Sequence, residues 1–178
     1  ALSRLSARVE SYLGPSLLVI TDKSSSDPTR NVFGVYVDSW LETGNEFQPR
    51  GSTKLFQLAP VFKVLPARQV GSTNFMYYCT NPKICNAVGL GFGGQMIGGQ
   101  VGTHRLWLGE DLKNGHSVRN DSSFEEGSLV GDTQEYQTNF NIHHIEVWAC
   151  GGLEALEKQK AAILRAQEER LARRKVDR

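Results

Sequence analysis

The sequence predicts an all-β dominated α+β fold, an antiparallel β-sandwich or barrel with a short helix before it and a long helix after it. Most apolar runs are short, rich in β-branched and aromatic residues, and bounded by turn clusters, a pattern typical of antiparallel strands. Apolar residues recur at helical spacing at the start of the chain, and strong helix formers dominate its end. With 178 residues, 39% of them hydrophobic, the chain can bury one core of this size.

The first predicted element is a short amphipathic helix over residues 1–13, in which Leu2, Leu5, Val9 and either Tyr12 or Leu13 share one face. The Gly14-Pro15 step ends this helix, because proline lacks an amide proton and disfavours helix in the residue before it.

Eight strands are predicted in the middle of the chain, each bounded by residues that favour turns. They lie near residues 16–21, 32–39, 54–58, 61–65, 74–79, 86–92, 103–108 and 142–149. The stretch from Asn114 to Phe140 is polar and weakly patterned, and it is predicted to be a long surface excursion with little regular structure.

The pattern changes after Gly151-Gly152, so we divide the chain into a sandwich domain (1–150) and a basic amphipathic helix (151–178). At 1.5 Å per residue, a helix over 153–175 would be about 35 Å long. Its narrow apolar stripe, interrupted by Lys160 and Gln167, is typical of a helix that needs a partner to stay ordered. The stripe consists of Leu153, Leu156, Ile163, Leu164 and Leu171.

The overall net charge of +1 predicts no general affinity for nucleic acid or for an acidic membrane. The charge is uneven, however, because the chain from Leu153 onward carries eight Lys/Arg and five acids, a balance of +3. No run approaches the roughly twenty apolar residues that span a bilayer, so no transmembrane segment is predicted.

The three cysteines, Cys79, Cys85 and Cys150, form no Cys-x-x-Cys pair and follow no secretory signal. This pattern predicts reduced thiols in a reducing compartment, and therefore a cytoplasmic protein. A redox-sensing role for Cys79 with Cys85 or Cys150 is an alternative, for which Lys83 is the one nearby positive charge.

Five motifs follow one another at spacings that resemble those of the TLDc family, over about residues 1–149. They are Leu17-Leu18-Val19-Ile20, Phe33-Gly34-Val35-Tyr36, the glycine block 89–94, the stretch from Leu106 to Leu112 with Gly115-His116-Ser117, and Ile145-Glu146-Val147-Trp148-Ala149. The resemblance assigns a structural role to Gly34, Gly93, Gly94, Trp107, Asp111, Gly115, Glu146 and Trp148.

The resemblance implies a two-layer antiparallel β-sandwich flanked by helices, without a settled enzymatic activity. Family members resemble protective factors against oxidative stress and regulators that bind the vacuolar-type proton pump, some of them through a C-terminal helix. Protist and ciliary relatives imply an axonemal or other cytoskeletal scaffold as an alternative. The family's usual first strand is absent from this chain, and Asp121-Ser122-Ser123-Phe124 replaces its Cys/Ser-x-x-Thr-Phe stretch.

The residues themselves predict no enzyme, no metal and no cofactor. The glycine block 89–94 satisfies G-x-G-x-x-G, but the three further glycines before Thr103 are incompatible with the helix that a dinucleotide site needs. His143 and His144 are neighbours on a strand and point to opposite faces, while His104 and His116 are distant in sequence.

We therefore expect a non-catalytic protein-interaction module whose C-terminal helix binds a partner, with vacuolar proton pump subunits as the expected partners. Axonemal or microtubule proteins are the alternative partners, and a thiol-based antioxidant is the alternative function. The apolar stripe would pack against the partner, and basic side chains would contact its acidic surface. Those basic residues are Arg170, Arg173, Arg174 and Lys175. The expected location is the cytoplasm, at the surface of acidic organelles or in cilia.

Overall fold

The computed structural model describes residues 1–23, 30–39, 43–68, 72–85, 87–97 and 100–176. Its elements in chain order are α1 (Leu2–Val9), β1 (Ser16–Asp22), β2 (Val32–Val37), β3 (Lys54–Ala59), β4 (Lys63–Pro66), β5 (Met76–Cys79), β6 (Gly89–Phe92), β7 (Met96–Ile97), β8 (Gln100–Val101), β9 (Leu106–Gly109), β10 (Asn114–Val118), β11 (Gln137–Ala149) and α2 (Gly152–Val176).

Nine of the strands form one antiparallel sheet in the order β4-β3-β2-β1-β11-β10-β9-β6-β5. The long strand β11 belongs to both halves of this sheet, because its end pairs with β1 and its beginning pairs with β10. The two halves pack against each other through a shared core, in which the ring centroids of Phe33 and Phe140 are 4.9 Å apart. The predicted mainly-β sandwich with two helices is confirmed.

Alternating burial along β1 explains why this segment forms a strand with one face in the core. Leu18 and Ile20 are fully buried, whereas Leu17, Val19 and Thr21 on the other face are half-buried. Helix α1 closes one end of the core with Leu2 and Val9, and it ends at Val9 rather than reaching the Gly14-Pro15 step.

The prediction for residues 114–140 is wrong in two respects. Strand β10 begins at Asn114 and strand β11 begins at Gln137, so both ends of the segment are regular structure. The residues between the two strands also contribute to the core, since Phe124, Leu129 and Val130 are buried. Apolar periodicity is weak here because hydrogen bonds to distant residues, with one antiparallel β-bridge between Ala67 and Phe124, hold this segment in place.

Arg105 supplies three of those hydrogen bonds from inside the core. Its side chain is fully buried, and its guanidinium donates to the backbone carbonyls of Val118, Glu125 and Gly127. Its Nε lies 3.7 Å from Oδ1 of Asp121. Burial lowers the pKa of Arg105 to about 10, with Asp121 acting in the opposite direction, so the side chain is positively charged at neutral pH.

Asp121 connects this loop to the end of β6. Its carboxylate accepts hydrogen bonds from the backbone N–H groups of Gly94 (3.0 Å), Ser123 (3.1 Å) and Phe124 (3.1 Å). Gly94 has a φ of +103°, and a Cβ at this position would lie 2.0 Å from the carbonyl oxygen of Thr103. Only glycine fits this close approach, which accounts for part of the glycine block.

We expect Asp121→Ala to lower the free energy of unfolding by about 3–5 kcal/mol, because it leaves a buried guanidinium without its anion. The matched control is Asp132→Ala, which removes an exposed ion pair with Lys63 and should cost about 1 kcal/mol or less. Urea unfolding measures both. If Asp121→Ala does not fold, Asp121→Asn, which keeps one acceptor oxygen, should give an intermediate loss. Equal losses for the two alanine variants would contradict the role of the buried pair.

Candidate functional site

Tyr12 ties the beginning of α2 to the connection between α1 and β1. The hydroxyl of Tyr12 accepts a hydrogen bond from the N–H of Gly151 (2.9 Å) and donates to the carbonyl of Pro15 (3.2 Å). The N–H of Cys150 donates to the same carbonyl at 2.7 Å. Tyr12 is buried, so this attachment is shielded from water, and the first turn of α2 is fixed relative to the sandwich.

Gln159 provides a second attachment two turns further along α2. Its side-chain amide donates to the carbonyls of Arg8 (3.3 Å) and Glu10 (2.8 Å), which are carbonyls at the C-terminal end of α1. Sequence reasoning missed Tyr12 and Gln159 as anchors. The position of Gln159 was an available signal, because it is three residues after Leu156 and four before Ile163.

The predicted apolar stripe of α2 is divided between two faces of the helix. The half-buried residues recur every three or four positions and mark the face toward the sandwich. They are Ala155, Leu156, Gln159, Ala162, Ile163 and Ala166. Leu153, Leu164 and Leu171 lie on another face and are 79%, 57% and 58% exposed. Leu156 and Ile163 therefore lie on the anchored face, apart from the three exposed leucines.

The basic residues of α2 also differ in their surroundings. A guanidinium nitrogen of Arg170 lies 3.6 Å from the Glu10 carboxylate of the same chain, and both side chains are largely exposed. Arg173 is exposed. Arg174 and Lys175 are part of α2, but their side chains lie outside the described residues. Binding of a partner by any of these residues stays a prediction.

Three of the structural motif residues line one open pocket on the outer face of the sheet. Trp107, Asp111 and Gly115 surround about 370 Å³ together with His116. The indole ring of Trp107 lies over β6, where a Cβ on Gly89 would be 2.3 Å from the ring. The glycine block therefore provides space for a bulky aromatic neighbour and is followed by the short strands β7 and β8 rather than by a helix.

Glu146, Trp148 and Gly34 lie on central strands of the sheet. Gly93, like Gly94, follows β6 instead and is buried, and a Cβ on Gly93 would lie 2.4 Å from Oδ2 of Asp121 and 2.7 Å from Cβ of Arg105. Glu146 is exposed on β11, where it accepts a hydrogen bond from the Trp148 indole (2.9 Å) and lies 3.3 Å from Nε2 of His144. Trp148 is itself 57% exposed. Gly34 on β2 lies opposite Val19, and a Cβ there would be 1.9 Å from the carbonyl oxygen of Leu18.

His104 lies in a buried aromatic cluster beside Trp107. Its ring is fully buried, with its centroid 4.5 Å from that of Trp107 and 5.5 Å from that of Phe47. Burial, together with the nearby His116, lowers the pKa of His104 to about 3, and the backbone of Gly102 offsets this only in part. His104 is therefore neutral at every physiological pH. Burial also lowers the pKa of His116.

The expectation of three reduced thiols is wrong for two of the cysteines. Cys79 and Cys85 form a disulfide next to Tyr77, while Cys150 is a free, exposed thiol. The tight loop between residues 79 and 85 brings the two Cα atoms to 6.5 Å, which sequence spacing alone did not indicate.

Within the described ranges, no group of three or more His, Cys, Asp or Glu side chains is arranged to hold a metal ion. In the same part of the chain, neither helix combines the length and apolar character needed to cross a bilayer.

We expect the stability of the chain to fall as the pH falls below about 6.5. His104 is neutral in the folded state down to about pH 3, whereas in the unfolded chain its imidazole takes up a proton below about pH 6.5. Between pH 7.5 and pH 5.5, the free energy of unfolding should fall in both proteins. The fall should be about 1.4 kcal/mol smaller in His104→Phe than in the unaltered chain. Urea unfolding at the two pH values measures this difference. The control is His143→Phe, at an exposed position, whose free energy of unfolding should depend on pH as that of the unaltered chain does. The same pH dependence in His104→Phe would contradict a neutral, buried His104.

Comparison with known proteins finds relatives in fungi and in a vertebrate. Restriction of telomere capping protein 5 of Leptosphaeria maculans is 28% identical over 95% of this chain and 30% of its own length. The protein of the same name from Colletotrichum graminicola is 33% identical over 86% of this chain and 27% of its own. The mTOR-associated protein MEAK7 of Danio rerio is 27% identical over 84% of this chain and 31% of its own. The chain thus spans less than a third of each of these relatives.

A family model, that of the TLDc domain, matches residues 1–151. The match covers α1, all eleven strands and the residues to which α2 is anchored, and it ends one residue before α2 begins. It thus includes every position to which the sequence resemblance assigns a structural role, from Gly34 to Trp148. The chain belongs to the TLDc domain family.

Proposed function

We propose that this TLDc chain is a non-catalytic protein-interaction module that binds and regulates the vacuolar-type proton pump from the cytoplasmic side. Membership of the TLDc family and similarity to a relative named as mTOR-associated both support a regulatory interaction module. The observation that carries the proposal is the divided helix α2. One of its faces is hydrogen-bonded to the sandwich, and another presents three exposed leucines.

The geometry of α2 suits insertion between a partner's subunits. Leu153, Leu164 and Leu171 recur at intervals of 11 and 7 residues, which places them within about 20° of one another around a helix with 3.6 residues per turn. Full burial of each leucine against a groove would contribute about 1.5–3 kcal/mol. The sandwich would dock on one subunit and hold α2 against another, which would alter subunit association or rotation.

We also propose a role in resistance to oxidative stress, exerted through the partner rather than through a thiol of this chain. Two of the three cysteines are already joined in a disulfide, which leaves Cys150 as the one free thiol. A Cys150→Ser variant should protect cells against peroxide as well as the unaltered chain does. Loss of protection in this variant would favour the thiol-based alternative.

The double variant Leu164→Asp/Leu171→Asp tests the helix. It should weaken binding to pump-bearing membranes at least about tenfold, because two carboxylates would enter an apolar contact. The melting temperature should not change, since both leucines are exposed. The matched control is Ala161→Asp/Ala172→Asp, which makes the same charge change at exposed positions on another side of α2. Co-sedimentation measures binding, and thermal unfolding measures stability.

Equal binding by the two double variants would contradict the proposal for α2. Co-sedimentation of the unaltered chain with axonemes, and not with pump-bearing membranes, would replace the pump by a cytoskeletal partner. A fall in melting temperature that matches the fall in binding would show that the exposed leucines stabilise the chain itself.

A further inference from the structure

A groove lies where α1, the later part of β11 and the first turns of α2 meet. Its volume is about 240 Å³, and both apolar and polar side chains line it. The apolar side chains along it are Leu5, Val9, Ile145, Val147 and Leu156. Small-molecule sites are concave and mostly apolar with a few polar groups, and those for drug-sized ligands begin at roughly 300 Å³. The groove is therefore suited to a shorter ligand.

Ser16 gives this groove an unused polar group. It lines the groove and is only 1% exposed, and its hydroxyl oxygen makes no hydrogen bond with any described residue. A buried hydroxyl without a partner costs about 1–3 kcal/mol. A ligand that supplies an acceptor for this hydroxyl would remove that cost.

Arg8 gives the groove a positive charge on its exposed side. It is the one charged side chain among the described residues that line the groove, and its guanidinium forms no ion pair within the described part of the chain. The nearest acid in sequence, Glu10, is instead close to Arg170. A guanidinium without a counter-ion beside an apolar groove complements an anionic group, because arginine binds carboxylates in a planar, two-pronged geometry.

We propose that this groove binds a small amphiphilic anion, an apolar chain that bears one carboxylate. The apolar chain lies against Leu5, Val147 and Leu156. The carboxylate pairs with Arg8 and provides the acceptor that Ser16 lacks. The site is independent of pump binding, because its residues face the space between the helices rather than the exposed leucine face of α2.

Octanoate, used below its critical micelle concentration, is the probe. Titration followed by methyl NMR should give saturable shifts at Leu5, Ile145 and Leu156. Calorimetry should show that Arg8→Gln weakens octanoate binding at least about tenfold. The matched control Arg4→Gln removes an exposed arginine from the same helix, outside the groove, and should leave the affinity unchanged. Octan-1-ol, which has no charge, should bind Arg8→Gln and the unaltered chain equally.

Val147→Phe should abolish binding of both octanoate and octanol, because the larger ring fills the groove. Absence of saturable binding by octanoate would overturn the proposal, as would equal affinities of Arg8→Gln and Arg4→Gln. If Val147→Phe does not fold, the comparison of the two arginine variants decides the question. Loss of pump binding in the leucine variants of α2 bears on the proposed function alone.

Discussion

The buried guanidinium of Arg105 is the constraint on which the second half of the sandwich depends. It donates to carbonyls at the end of β10 and in the following loop. It also faces the carboxylate of Asp121, which accepts a hydrogen bond from the turn after β6. These contacts bring residues far apart in sequence to one point in the core. A polar segment can therefore contribute Phe124 and Val130 to that core without forming a strand. A buried charge is tolerated here because its hydrogen bonds and its counter-ion replace the lost water.

Helix α2 depends on a different kind of attachment. The side chains of Tyr12 and Gln159 form their hydrogen bonds with backbone groups, which are carbonyls of the α1–β1 region and the N–H of Gly151. The helix is therefore held through the main chain of the sandwich. The side chains of the anchored face are small or medium-sized, and the face leaves a groove rather than a close-packed seam. The exposed leucines then lie on a helix whose orientation is set by the domain, as expected for an element preorganised to bind a partner.

The sequence was informative where periodicity is local. Strand β1, with Leu18 and Ile20 inward, and the end of β11, with Ile145 and Val147, are predictable because alternation within one strand sets which face is buried. The sequence was uninformative where distant side chains decide the structure, as Arg105 and Arg68 do for the loop around Phe124. The division of the α2 stripe could not be predicted either. All four residues are large and apolar, and only the packing of one helix face toward α1 separates Leu156 and Ile163 from Leu153 and Leu164. The pairing of Cys79 with Cys85 likewise depends on how the loop between them folds.

In the proposed mode of binding, α2 contacts a partner with its leucine face while its other face stays on the sandwich. Site-specific photo-crosslinking tests this directly, with a photoreactive residue at position 164 or at position 162 of the chain bound to pump-bearing membranes. We expect cross-links to pump subunits from position 164 and cross-links within the chain from position 162. Cross-links to the pump from position 162, or none to the pump from position 164, would contradict it.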